Sequence, residues 1–181
     1  AGGLPVVISH HKVAGAKNFG RTKQTLAAIE AARKNQAVAF DVYPYVAASS
    51  WLTPDYLVFC SKVTITWSKP HPEMNGRDVA SIAREWACDE KEAVKRLQPG
   101  GAAYFLMDEA DVQRVLSPPQ ALIGSDGVPG GAHPHPRLWG TFPRVLGHYC
   151  RDLRLFPLET AIYKMTGLTA RFIMARVAAA G

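Results

Sequence analysis

Three stretches of the chain place reactive side chains directly after an apolar run. In PVVISHHK, residues 5–12, four apolar residues lead into Ser9, His10, His11 and Lys12. In AVAFDVY, residues 37–43, the run carries Asp41 and closes on Tyr43. In ALIGSD, residues 121–126, it ends in Asp126, with Gly127 following. A short continuous apolar run reads as a buried strand, and α/β folds place chemistry at the C-terminal edge of such strands. Neutral imidazole suits zinc, which needs more than one ligand. A carboxylate at the same edge can take a proton from a metal-activated water and pass it to a leaving nitrogen. Lys12 and Tyr43 could bind a substrate carboxylate or polarise a carbonyl.

Plainer roles compete with each of these. Side chains alternate along a strand, so only one of His10 and His11 can face a common site. The other is then a core or surface group, and a lone histidine pair is more often structural than metal-binding. Asp126 alone could simply close its strand with an Asx-turn. The loop GVPGGAHPHPR, residues 127–137, adds His133, His135 and Arg137. These could bind an anion or a metal, or form a rigid loop restrained by three prolines. No phosphate loop, GxSxG elbow, CxxC pair or HExxH motif is present.

The elements that must position these residues follow a βα rhythm. A helix is expected over residues 22–36, with Thr22 or Thr25 as its cap, and with the flanking runs it makes a βαβ unit. Residues 45–76 are less regular, with strand or hairpin patterns at 57–59 and 63–67. Two short helices follow, at 76–88 and 89–97, and the block reads as an insertion that caps the site. The rhythm resumes with a strand at 102–107, a helix at 108–116 with Asp108 as N-cap, and the strand at 121–126. A helix over 139–151 and a helical pair within 157–179 complete the chain. About four core strands fit half a barrel or a small open sheet.

Bulk properties narrow the class. At 181 residues the chain can be one domain with a sizeable core. No stretch approaches the ~18 apolar residues of a membrane span, and the start lacks a signal-peptide pattern. Both ends look trimmed. Cys60, Cys88 and Cys150 have no metal-type spacing and fit free thiols in a reducing, cytoplasmic setting. The net charge of +6 comes from scattered basic residues, which argues against nucleic acid as a partner.

Several motifs, taken in order, carry a more specific resemblance. PVVISHHK, NFGRTKQTL, FDVYPYVAASS, ITWSKPHPE, GAAYFLMDEADVQRV, IGSDGVP and HPRLWGTFPRVLGHY resemble an N-acyl-D-amino-acid deacylase (D-aminoacylase) of the amidohydrolase superfamily. The resemblance covers residues 4–170. It implies an α/β fold comprising part of a (β/α)8 TIM-like barrel, strands six to eight with their helices, plus an insertion over about 46–100 that covers the active site. It implies zinc (Zn2+) with His10 as a ligand, Asp126 as the catalytic acid/base, and Lys12, Tyr43 and Arg137 lining the pocket of a small N-acyl-D-amino acid substrate. A His-x-His, a bridging cysteine and a further histidine that complete the family's metal set are missing here, and none of the three cysteines falls in a matching stretch. The remaining barrel strands and ligands are therefore expected upstream. The alternative is a catalytically incomplete fragment, or a binding remnant of that fold.

Overall fold

The computed structural model describes residues 4–180, with side chains as far as residue 175. β1 (Val6–Ile8), α1 (Thr22–Arg33) and β2 (Val38–Val42) form the expected βαβ unit. The two strands are parallel, with Val6 opposite Val38 and Ile8 opposite Phe40. β2 is buried, but Val6 and Val7 on β1 are 39% and 48% exposed. The sequence reads this first run as a buried strand. It differs because β1 has a neighbour on one side only among the described residues. Neither expected threonine caps α1: the Thr22 hydroxyl donates to Asp111, and the Thr25 hydroxyl donates to the Thr22 carbonyl.

From Ala47 the chain builds a separate antiparallel sheet. It comprises β3 (Ala47–Trp51), β4 (Lys62–Ser68) and β5 (Gly100–Phe105), in the order β3-β5-β4. Helices α2 (Val79–Glu85) and α3 (Glu90–Leu97) lie between β4 and β5 in the chain, capped by Asp78 and Asp89. Two expectations are corrected here. Residues 57–59 belong to a 3-10 turn, Pro54–Phe59, and the strand expected at 102–107 pairs in this sheet and not with the parallel strands. β5 is the middle strand, buried from Gly100 to Tyr104, and so shows the same continuous apolar run as a parallel core strand.

α4 (Glu109–Leu116), N-capped by Asp108 as expected, leads back to β6 (Ala121–Ile123), which is parallel to β2. The parallel order is thus β1-β2-β6, with β2 in the middle. The expected helix over 139–151 is instead α5 (Arg137–Arg144) followed by a π-helical segment, Val145–Asp152. Pro143 lies in the last turn of α5, just before this change. α6 (Leu158–Met165) and α7 (Gly167–Ala180) end the chain. Lys164 of α6 is fully buried and donates to the carbonyls of Leu116, at 2.6 Å, and Pro118. It ties α6 to the segment that feeds β6, and burial pushes its pKa down to about 8.

Two apolar clusters result. One packs Phe40, Val42 and Ile123 of the parallel strands against Val115, Leu116 and Tyr149. The other packs Ile65 and Tyr104 of the antiparallel sheet against Val79, Ile82, Val94 and Leu97. Met107, where the chain passes from β5 to α4, touches both. No helix among the described residues is long and apolar enough to cross a membrane.

Candidate active site

The chain turns as it leaves β1 and again as it leaves β6, and both turns hold a side-chain-bearing residue in the left-handed region. His10 has φ of 57° and Asp126 has φ of 47°. Such backbone is uncommon away from glycine and recurs at functional sites. The two side chains meet: His10 Nε2 lies 2.9 Å from Asp126 Oδ1. Both are part-exposed, at 37% and 27% of the side chain.

The second oxygen of Asp126 is held by Arg137, whose Nη1 lies 2.6 Å from Oδ2. Arg137 starts α5 and is almost wholly buried. Its guanidinium also donates to the Ser49 carbonyl of β3 at 3.2 Å and stands 4.8 Å from the Tyr43 ring centre. This arginine therefore joins the parallel strands, the antiparallel sheet and the helical half of the chain. The Tyr43 hydroxyl is buried and has no hydrogen-bond partner of ordinary geometry among the described residues. Burial raises its pKa beyond the ordinary tyrosine range, and the nearby Arg137 charge offsets only part of that. It is a neutral hydroxyl beside the Arg137 guanidinium.

Lys12 is also near this ring, with Nζ 5.2 Å from its centre. Its ammonium donates to the His10 carbonyl at 2.6 Å. Burial lowers its pKa, with Arg137 acting in the same direction and Asp126 and Asp41 opposing. The five side chains that the resemblance implies for the site, His10, Lys12, Tyr43, Asp126 and Arg137, lie together here. The alternation argument for His10 does not hold as stated, because β1 ends at Ile8 and the left-handed turn aims the ring. His11 is the buried partner, edge-on to Phe40 at 5.3 Å and 3.1 Å from the Thr25 hydroxyl.

The loop histidines do something else. His135 is 5% exposed, and its Nδ1 accepts the Arg137 backbone N–H at 3.0 Å. Its pKa is pushed down to about 4 by burial and then by Arg137, with a bond to the Ala47 backbone opposing. Buried and engaged at Nδ1, His135 builds the Arg137 position. His133 is exposed and uses its backbone N–H to hold the loop to the Thr66 carbonyl at 3.1 Å.

Beside Asp126 and Arg137 opens a cleft of about 480 Å³. Its far wall is Trp51 and Trp67, edge-to-face at 5.7 Å, with Ser49, Ser50 and Thr66 nearby. A β-bulge between Ile65 and Trp67 re-aims this part of β4. A Cβ on Gly101 would collide with the Trp67 indole, so glycine is what lets that ring lie against β5. The sequence gives little sign of this wall, because AASSW lacks the apolar run that marks the other strands.

The donors present suit a zinc ion only in part. His10 and Asp126 offer one nitrogen and one oxygen at a common point. No group of three or more His, Cys, Asp or Glu side chains that could hold a metal exists among the described residues. Catalytic zinc takes three protein ligands, so these donors are the right kind but a partial set.

Comparison with known proteins gives these side chains a context. No family model matches the chain. A D-aminoacylase of Alcaligenes xylosoxydans xylosoxydans is 59% identical over 167 residues, which is 92% of this chain and 34% of that protein. An N-acyl-D-aspartate deacylase of the same organism is 51% identical over 165 residues, or 91% of this chain and 33% of the relative. Among solved structures, a D-aminoacylase described as defining a novel subset of amidohydrolases matches with a TM-score of 0.88 at 60% identity, covering 93% of this chain and 35% of that one. An N-acyl-D-glutamate deacylase of Bordetella bronchiseptica, complexed with zinc and a phosphonate that mimics the tetrahedral intermediate, matches with a TM-score of 0.89 at 48% identity, covering 93% and 36%. The resemblance read from the motifs is thus borne out over more than nine-tenths of the chain. The chain spans about a third of the length of the relatives it matches.

Proposed function

We propose that this chain is part of a zinc-dependent hydrolase that converts N-acyl-D-amino acids to a carboxylate and a free D-amino acid. The three parallel strands with their helices correspond in this reading to strands six to eight of a (β/α)8 barrel. Residues from about 46 to 100, extended by the pairing of β5, form an insertion over the active site. The observation that carries the reading is Asp126, held by buried Arg137 at one oxygen and turned towards His10 at the other. The relatives are named for the same kind of deacylation, and one solved relative carries zinc.

The residues take separate roles. Clamped at Oδ2 by Arg137, Asp126 keeps Oδ1 for proton transfer: it takes a proton from the attacking water and returns it to the departing nitrogen. The C–N amide bond breaks, the water oxygen joins the acyl carbon, and the amine leaves protonated. Zinc, held in part by His10 and completed by ligands outside this chain, supplies the Lewis acidity that activates that water. Lys12, the neutral Tyr43 hydroxyl and Arg137 orient the substrate's carboxylate and carbonyl.

The test is Asp126→Ala in a full-length protein carrying this segment. Turnover of N-acetyl-D-amino acids should be abolished while zinc stays bound; undiminished turnover rules the role out. A second reading, a catalytically incomplete fragment or binding remnant, is favoured by the partial donor set. Coding sequence upstream of Ala1 that contains His-x-His and a later cysteine supports the enzyme, and its lack supports the remnant.

A further inference from the structure

Asp41 sits on the middle strand, β2, and touches the chain on both flanks. Its Oδ1 accepts the His10 backbone N–H at 3.0 Å, and its Oδ2 accepts the Ser9 hydroxyl at 3.0 Å. Its own carbonyl accepts the His11 N–H at 2.8 Å. Three consecutive residues of the turn after β1 are thereby fixed to one aspartate. On the other flank, a Cβ at Gly124 would stand 3.0 Å from Asp41 Oδ1, so the path from β6 to Asp126 passes close against the same carboxylate.

We propose that Asp41 is the positioning residue of the site: its carboxylate fixes the left-handed turn at His10 and so sets the imidazole against Asp126. The left-handed φ at His10 is a conformation that the residue does not favour by itself, and it persists only where its surroundings impose it. A carboxylate accepting the His10 N–H and the Ser9 hydroxyl together supplies that constraint, and charge-assisted bonds of this kind are the stronger sort. Asp41 reaches no ring nitrogen of His10 in this arrangement; it acts through the backbone. The inference rests on His10 and Asp126 working together as proposed above.

The experiment uses the full-length protein with Asp41→Ala, Asp41→Asn and Ser9→Ala. Zinc affinity of the metal-stripped protein is measured by equilibrium dialysis, kcat and KM with an N-acetyl-D-amino acid, and the melting temperature alongside. Asp41→Ala should weaken zinc binding and lower kcat by about 10- to 100-fold, the range for lost ligand-orienting partners, with KM little changed. Asp41→Asn keeps an oxygen for the His10 N–H and should recover most of the loss, and Ser9→Ala, which removes one of the two bonds, should show a smaller loss than Asp41→Ala. If Asp41→Ala does not fold, Gly124→Ala crowds the same carboxylate and should weaken zinc several-fold. Normal zinc affinity and kcat in Asp41→Ala, with only a lower melting temperature, overturns the inference. Equal losses in the Asn and Ala variants also overturn it. A parent protein that neither binds zinc nor hydrolyses the substrate refutes the proposed function instead.

Discussion

Acidification should unlock the Arg137 clamp through His135, a residue that never touches Asp126. The His135 ring is 5% exposed and has a pKa of about 4 in place of 6.5, because burial and then Arg137 disfavour its cation. In the unfolded chain the same imidazole takes up a proton as the pH falls through 6.5. In the folded chain it stays neutral until about pH 4. Between those values the unfolded state binds more protons, so stability falls as the pH falls. The gap corresponds to roughly 3 kcal/mol, at ~1.4 kcal/mol for each tenfold change. That contribution is fully present at pH 7, declines below 6.5 and is spent near pH 4.

The geometry explains why the ring is held neutral. Nδ1 must keep its lone pair to accept the Arg137 N–H, and a protonated ring would present two donors facing each other. Urea unfolding at a series of pH values, compared with His135→Gln, isolates the effect. The glutamine oxygen can still accept a hydrogen bond but does not titrate, so the variant should start less stable at pH 7 and lose about 3 kcal/mol less on the way to pH 4. A direct check is the ring resonance of His135 followed by NMR. A midpoint near 6.5, or parallel pH profiles for the two proteins, refutes the reasoning.

Other perturbations have equally definite outcomes. Arg137→Lys keeps the charge but cannot hold Asp126, reach Ser49 and face Tyr43 together, so kcat/KM of the full-length enzyme should drop at least tenfold, and unchanged kinetics would show that the clamp is dispensable. Gly101→Ala drives a Cβ into Trp67 and Thr66 at the β4 bulge and should cost about 1–3 kcal/mol in denaturant unfolding, which an unshifted midpoint would contradict. Asp111 is buried and accepts from Gly20 N–H, the Thr22 hydroxyl and Arg114; Asp111→Ala strands these donors and should lower stability by about 3 kcal/mol, a claim that a variant within 0.5 kcal/mol of the parent would defeat. The isolated 181-residue chain should retain zinc far below one ion per chain by elemental analysis, and stoichiometric zinc would show that its own donors suffice.

The parallel part of the fold was legible because each of its strands is an apolar run that ends in a polar residue. That pattern located β1, β2 and β6 and delivered His10, Tyr43 and Asp126 to one edge. It failed at β5, where a middle antiparallel strand is as apolar as a parallel one, and at β3, where Ala47, Ala48, Ser49 and Ser50 carry no run at all. His135 and Asp41 were visible as residue types but not as jobs. A buried neutral imidazole accepting a backbone N–H and a surface histidine look the same in sequence. An aspartate on a strand does not reveal that it spans to the turn of the neighbouring strand. Such roles depend on which backbone groups lie opposite, and register alone decides that.

The arrangement also separates two properties that a metal site usually joins. Aim is local: β2 lies between the strands carrying His10 and Asp126, Asp41 holds one turn, and Arg137 fixes the far oxygen of the other. Every part of that constraint lies within these residues. In the proposed site affinity is not local, because His10 as a single zinc ligand leaves two protein ligands of a catalytic zinc to be supplied from elsewhere. The His10–Asp126 pair is therefore preorganised before any metal arrives, and a ligand added from outside meets a carboxylate already committed at one oxygen to Arg137. On this view the missing ligands set how tightly zinc binds, while Asp41 and Arg137 set what Asp126 can do once it is there.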